Sequence, residues 1–76
     1  MSTLAELPIG TSAKVTQVAG ADEIACRLRE MGLTPGAKLR VAGVAPLGDP
    51  IELEIRGYRL SVRKSEARRV GIQTCS

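Results

Sequence analysis

RLREMGLTPG, from Arg27 to Gly36, ends a short helix and starts a strand within ten residues. Gly32 suits the left-handed position just past a helix end, which brings Leu33 back onto Leu28 in a Schellman-type contact. The Pro-Gly pair that closes the stretch turns the chain into an alternating run, which is typical of a strand. The stretch therefore predicts a helix that ends before Gly32 and a strand that begins after Gly36.

The residues before Gly32 have the pattern of a helix with one buried face. Ile24, Leu28 and Met31 recur at i, i+4 and i+7, the spacing of an apolar helical stripe. Asp22 is predicted to be the N-cap, because its carboxylate can accept hydrogen bonds from exposed backbone amides of the first turn. A helix of about ten residues is marginal alone, so we expect it to pack on a sheet.

Including the strand after Gly36, five stretches have the composition and spacing of strands. Gly57 separates two of them and allows the positive φ that a tight hairpin loop needs. Lys64 to Arg69 is too short for a stable helix and predicts one helical or 3₁₀ turn. These patterns predict a mainly β fold, a small five-stranded antiparallel barrel with one short α-helix between the first two strands. The predicted strands are residues 13–18, 37–41, 51–56, 58–63 and 70–72.

Two parts of the chain share a local pattern. Leu7-x-x-Gly10 precedes a valine by five residues, and Leu33-x-x-Gly36 does the same. We interpret both as a turn followed by the start of a strand. The same local solution is then used twice, although two copies are too few to indicate a repeat architecture.

Composition restricts the possible functions. The 76 residues have room for one domain, 1–76, and a chain this short buries only about 60% of its unfolded surface. Histidine, the commonest general base and metal ligand, is absent, and Tyr58 is the single aromatic residue. Ser61, Ser65 and Cys26 have no paired base at a usable spacing. The carboxylates are scattered, so no metal site is expected. The sequence predicts a protein that is not an enzyme and holds no cofactor.

The two cysteines, Cys26 and Cys75, lie far apart and form no CxxC motif. With no signal peptide, this predicts a reducing, cytoplasmic location, and no apolar run approaches the roughly 18 residues that span a bilayer. Cys26 is expected on the outer face of the helix, about 200° from Ile24. The alternative left open is that Cys26 and Cys75 of another copy hold zinc or form a disulfide.

Positive charge is concentrated in the last third of the chain. Residues 1–55 hold five Lys or Arg against seven Asp or Glu, whereas residues 56–76 hold six against one. Solvent-exposed strand faces explain this most simply, and an acidic partner surface is the alternative. Nucleic-acid binding lacks aromatic stacking platforms, and recognition of proline-rich peptides lacks an aromatic groove. Gly43-x-x-x-x-Gly48 is followed by Asp-Pro, so it does not predict a phosphate-binding loop.

The chain resembles the ferrous-iron transport protein A family, FeoA, small proteins with an SH3-like barrel. The resemblance rests on LAELPIG (Leu4 to Gly10), on RLREMGLTPG, and on APLGDPIELEIRGYRLSVRKSEA (Ala45 to Ala67), in that order and spacing. RL-x-x-MGL-x-PG followed by PLGDP at that distance is specific. The resemblance implies an SH3-like form of the predicted barrel, in a cytoplasmic protein that accompanies the bacterial ferrous-iron permease FeoB.

The resemblance further implies an accessory or regulatory role through binding to FeoB, at its cytoplasmic GTPase domain or cytoplasmic face. Nucleic acid and direct membrane insertion are not expected. The alternative is an SH3-like regulatory module, related to the C-terminal domain of iron-dependent repressors, that binds a peptide or linker. The loop from Pro46 to Pro50 is either a purely structural turn or a partner contact, and in the second case Leu47 is an exposed apolar anchor on a rigid loop. The candidate partner contacts are Arg27, Arg29, Glu30, Leu47, Gly48, Asp49, Pro50, Tyr58 and Arg59.

Overall fold

Strands make up most of the fold, which is described by a computed structural model for residues 2–74. Six strands, two short helices and one 3₁₀ turn follow one another along this part of the chain. The elements are β1 (Ser2–Thr3), the 3₁₀ turn (Leu4–Glu6), β2 (Ser12–Val18), α1 (Glu23–Glu30), β3 (Lys38–Val44), β4 (Ile51–Ile55), β5 (Tyr58–Val62), α2 (Lys64–Ala67) and β6 (Val70–Thr74).

The six strands form one antiparallel sheet in the order β1-β6-β2-β3-β4-β5. The predicted count of five strands is therefore wrong by one, and α1 lies between the second and third strands instead of the first two. The missed strand, β1, has only two residues, which is too short for an alternating pattern to show. It exists because Ser2 and Thr3 pair with Ile72 and Gly71 of β6. Among residues 2–74 the sheet does not close, and β1 and β5 are its edges.

The core is almost wholly aliphatic, as the composition predicts. Leu53 and Ile55 of β4 are fully buried, as are Val41 of β3 and Val62 of β5. Strand β4 alternates buried and half-buried residues along its whole length. This strand therefore lies over the middle of the core, and its neighbour β5, where only Val62 is buried, forms the exposed side of the hairpin.

The repeated sequence pattern corresponds to a repeated structure. Strands β2 and β3 have seven residues each, and both contain a bulge at the same place, Thr16 in β2 and Ala42 in β3. Gly10 and Gly36 both have positive φ, +89° and +91°. Both predicted turns, each followed by a strand, are confirmed, and the two turn-and-strand units share the same local structure.

Backbone hydrogen bonds join the turn of each unit to the strand of the other. The amide of Gly10 donates to the carbonyl of Val41 at 2.7 Å, and the amide of Gly36 donates to the carbonyl of Val15 at 2.8 Å. Because the turn of each unit donates a hydrogen bond to the strand of the other unit, the two units stabilise each other.

Candidate partner-binding site

The start of α1 is tied to the segment before β6. As predicted, Asp22 is the N-cap, and its Oδ1 accepts from the Ala25 amide at 3.1 Å. The same oxygen accepts from Arg69 Nη1 at 2.6 Å. These two bonds, the one from Arg69 first, lower the pKa of the Asp22 carboxyl below its usual range, and the bond to Asp22 raises the pKa of Arg69. One carboxylate thus caps the helix and anchors a second segment.

The end of α1 has the predicted Schellman geometry. The Leu33 amide donates to the Leu28 carbonyl at 3.1 Å, and the Gly32 amide donates to the Arg29 carbonyl at 3.0 Å, the paired bonds of that motif. Tyr58 adds a bond, because its hydroxyl donates to the Met31 carbonyl at 2.6 Å. Tyr58 is therefore a part of the helix end, although 43% of its surface is exposed.

Two of the predicted contact arginines are engaged inside the protein. Arg29 Nη2 donates to the carbonyls of Val18, at 3.1 Å, and Gly20, at 2.9 Å, which fixes the loop between β2 and α1. Arg27 forms an ion pair with Glu66 of α2, whose side chain is only 12% exposed. The guanidinium of Arg29 is thus bound by backbone carbonyls of its own chain. The side chain of Arg27 is 58% exposed and still presents part of its guanidinium to solvent.

The loop between β3 and β4 is anchored at both ends of its tip. The Gly48 amide donates to the Ala45 carbonyl at 2.7 Å, and Asp49 Oδ1 accepts from the backbone amide of Lys64 at 2.9 Å. An aspartate in a turn is expected to bond to nearby amides, and the amide that Asp49 meets belongs to the start of α2. Leu47 is 96% exposed. The predicted exposure of Leu47 on a fixed loop is therefore confirmed, and its role as an anchor for a partner stays a prediction.

A cavity of about 420 Å³ lies where these elements meet. It brings together three of the predicted residues, Arg27, Asp49 and Pro50, and adds four that sequence reasoning missed. The missed residues are Met31, Ser61, Arg63 and Glu66. One feature of the sequence could have singled out Glu66 as a site residue, because it is the only acidic residue in the basic last third of the chain.

The other predicted contacts lie outside the lining of this cavity. Glu30 is exposed on α1, and Arg59 is exposed on β5 next to the lining residue Ser61. Leu47 and Gly48 precede the lining residue Asp49 in the β3–β4 loop, and Tyr58 and Arg29 are held as described above.

Residues 2–74 give no support for a metal centre. Within that range no group of three or more His, Cys, Asp or Glu side chains is placed to hold an ion. Cys26 is exposed, as predicted for the outer face of α1. The alternative pairing with Cys75 concerns a residue outside the described part of the chain. No helix in the described part is long and apolar enough to cross a bilayer.

A family model described as "FeoA domain" matches residues 2–74. The chain belongs to the FeoA family. It is 41% identical to the FeoA protein of Chlorobium tepidum, whose solution structure superposes with a TM-score of 0.91 over 99% of this chain and 71% of that one. It is 39% identical to FeoA of Stenotrophomonas maltophilia, with a TM-score of 0.84 over 96% of this chain and 91% of that chain. That protein is an SH3 domain protein solved in complex with zinc, so the SH3-like character of the fold is confirmed.

A relative from Porphyromonas gingivalis places a FeoA region inside a much larger protein. It is an Fe(2+) transport protein A/Fe(2+) transporter FeoB fusion protein, 33% identical to this chain over 73 residues. The match covers 96% of this chain but 9% of the fusion protein. The fold of the FeoA family also recurs in T. acidophilum IdeR, with a TM-score of 0.85 over 97% of this chain and 34% of that one. Since the identity to IdeR is 17%, this likeness concerns the fold alone.

Proposed function

We propose that this protein is an accessory and regulatory component of bacterial ferrous-iron uptake that acts by binding the cytoplasmic face of the permease FeoB, at its GTPase domain. The observation that supports this proposal most strongly is the Porphyromonas gingivalis relative, in which a FeoA region and FeoB are one polypeptide. Covalent linkage keeps two domains at high effective concentration, which is useful when the domains act on each other. A separate chain must achieve the same proximity by affinity.

The surface features that support binding are an apolar anchor and a partly polar cavity. Leu47 is almost fully exposed at the tip of a loop with anchored ends, and the cavity beside it contains both arginine and carboxylate groups. Interfaces commonly combine an apolar anchor with a polar rim. The proposed role is non-enzymatic and needs no metal bound to this protein.

Regulation of the GTPase requires more than binding. This protein can change GTP turnover only if it binds one nucleotide state of the permease more tightly than the other, since equal affinity shifts no equilibrium. We therefore expect the affinity for FeoB to differ between the GDP-bound and GTP-bound forms.

The test uses intact FeoB immobilised in lipid nanodiscs and this protein as the soluble analyte. Saturable binding whose dissociation constant differs between GDP and a non-hydrolysable GTP analogue supports the proposal. Absence of binding in both states, with FeoB shown to hydrolyse GTP and this protein shown to be folded, contradicts it.

A second candidate is a regulatory module that binds a peptide or linker within a repressor-like protein, and the shared fold with IdeR is the observation that favours it. The genomic neighbourhood separates the two. An adjacent permease reading frame favours transport, whereas a winged-helix region encoded upstream in the same frame favours transcription.

A further inference from the structure

We propose that the free edge of β5 and the cavity beside it bind an extended, acidic segment of a partner protein as an additional β-strand. We call this surface the β5 groove and define it by Arg59, Ser61 and Arg63 on the strand side and by Arg27 and Met31 on the helix side. This inference adds detail to the proposed function. It rests on that function because it assumes that the acidic segment belongs to FeoB.

The backbone of β5 offers hydrogen-bonding groups on its outer side. The β4–β5 hairpin turns through Arg56 and Gly57, whose φ values of +48° and +84° are those of a type I′ turn. Such a turn makes Ile55 and Tyr58 a hydrogen-bonded pair, and pairs alternate along an antiparallel ladder. The N–H and C=O groups of Arg59 and Ser61 therefore point away from β4. Strand β5 has no second neighbour in the described sheet.

The cavity lies directly along this edge. Ser61 and Arg63 line it from the strand, while Arg27 and Met31 line it from α1. A strand edge facing a helix across a groove has the geometry used for strand addition, in which main-chain bonds supply affinity and pockets take alternate side chains. A volume of about 420 Å³ accommodates side chains of an inserted segment, and half-buried Met31 gives its wall an adaptable apolar part.

Charge indicates which kind of segment fits. Both acidic groups of the cavity are already engaged, Glu66 with Arg27 and Asp49 with the Lys64 amide. Arg59 and Arg63 are exposed and take part in none of the ion pairs found within residues 2–74. Across the hairpin, Glu54 lies opposite Arg59 but pairs with Arg40, and Glu52 lies opposite Ser61. One carboxylate, Glu52, thus stands beside the two arginines Arg59 and Arg63, so the strand side of the groove keeps an excess of positive charge, which favours glutamate or aspartate in the segment.

The same charges argue against a second copy of this chain as the occupant. An isologous contact brings the same surface of both molecules together, so edge-to-edge pairing of two β5 strands would bring Arg59 and Arg63 of one copy close to those of the other. Like charges that face each other across a sheet are destabilising. A partner of opposite charge meets no such penalty.

The experiment measures amide hydrogen exchange of the full chain by NMR, alone and with the purified cytoplasmic GTPase domain of FeoB. Strand addition predicts that the Arg59 and Ser61 amides, which have no strand partner on the outer side of β5 in the described sheet, become protected by at least about tenfold in the complex. In parallel, Ser61→Pro, which removes one outward amide, is expected to weaken binding about tenfold, while Ser61→Ala, which keeps the amide, binds as the unmodified protein does.

Each outcome has a distinct meaning. Binding without protection of Arg59 and Ser61, and with equal affinity of the Pro and Ala variants, overturns the β5 groove but leaves the proposed function standing. Binding that is absent contradicts the proposed function, and a capped heptapeptide of alternating valine and glutamate, compared with its valine–lysine counterpart, then tests the groove alone. The proposal for the β5 groove is supported if the glutamate peptide protects the two amides and the lysine peptide does not. It is refuted if neither peptide protects them or if both do. Pairing of two β5 edges would instead give protection and a doubled mass without any partner.

Discussion

Replacing Gly32 with alanine is expected to destabilise the protein through two separate effects. Gly32 has φ of +111°, where an L side chain is strained, and a Cβ atom there would overlap the hydroxyl of Tyr58. To make room, the hydroxyl must leave the Met31 carbonyl, to which it donates at 2.6 Å. The substitution thus combines backbone strain with the loss of a hydrogen bond at the end of α1.

The expected cost follows from these two effects. Positive φ for a non-glycine residue costs about 1–2 kcal/mol, and the loss of one hydrogen bond costs about 0.5–1.5 kcal/mol. Together they lower the free energy of unfolding by about 1.5–3.5 kcal/mol, which for a domain of this size corresponds to a fall in Tm of roughly 6–28 °C.

Three further variants separate the effects: Tyr58→Phe, its combination with Gly32→Ala, and Gly36→Ala. In a Tyr58→Phe background the clash is gone, since the next nearest atom to the new Cβ is Tyr58 Cζ at 3.7 Å, so Gly32→Ala should cost only the strain, about 1–2 kcal/mol. Gly36→Ala is the matched control, because Gly36 has φ of +91° and open space around its Cβ position. Urea unfolding followed by far-UV circular dichroism measures the free energy of unfolding of the unmodified protein, of the three single variants and of the double variant. An equal cost of Gly32→Ala with and without the Tyr58 hydroxyl would refute the reasoning.

Three other changes test the remaining contacts. Leu47→Asp should alter stability by less than about 0.5 kcal/mol yet weaken FeoB binding at least about tenfold, and unchanged binding would make the loop purely structural. Arg27→Ala should destabilise more than Glu66→Gln in urea unfolding, because it leaves a nearly buried carboxylate unpaired, and the reverse order would contradict this. Because the pKa of Asp22 is lowered in the folded state, its ionised form stabilises the protein above the unfolded pKa, and this contribution is lost as pH falls through the folded pKa. Asp22→Asn should therefore reduce stability near neutral pH and flatten the acid limb of the stability profile; an unchanged limb would exclude the Arg69 pair as its cause.

Helix caps and tight turns were predictable because each depends on a residue type that suits its backbone conformation. Asp22 as N-cap, Gly32 past the end of α1 and the glycine of the β4–β5 hairpin are visible in one sequence, since few residues satisfy those backbone positions. The two-residue strand β1 was not, because Ser2 and Thr3 form a strand only through pairing with β6. Pairing between distant segments leaves no periodic signal in so short a stretch.

The candidate site was predictable only in part, and for a related reason. Exposure of Leu47 follows from an apolar residue in a Pro-Gly loop. The use of Arg29 by the carbonyls of Val18 and Gly20 and the pairing of Arg27 with Glu66, 39 residues away, depend on which segments the fold brings together. A basic residue looks the same in sequence whether it faces a partner or its own backbone.

The central claim, that this protein docks on the GTPase domain of FeoB, is tested most directly by an NMR titration of the labelled full chain with that purified domain. The titration is run separately with GDP and with a non-hydrolysable GTP analogue. Docking predicts chemical-shift changes confined to the end of α1, the Leu47 loop and β5, and larger in one nucleotide state. A flat titration in both states, with each protein verified as folded, would contradict it.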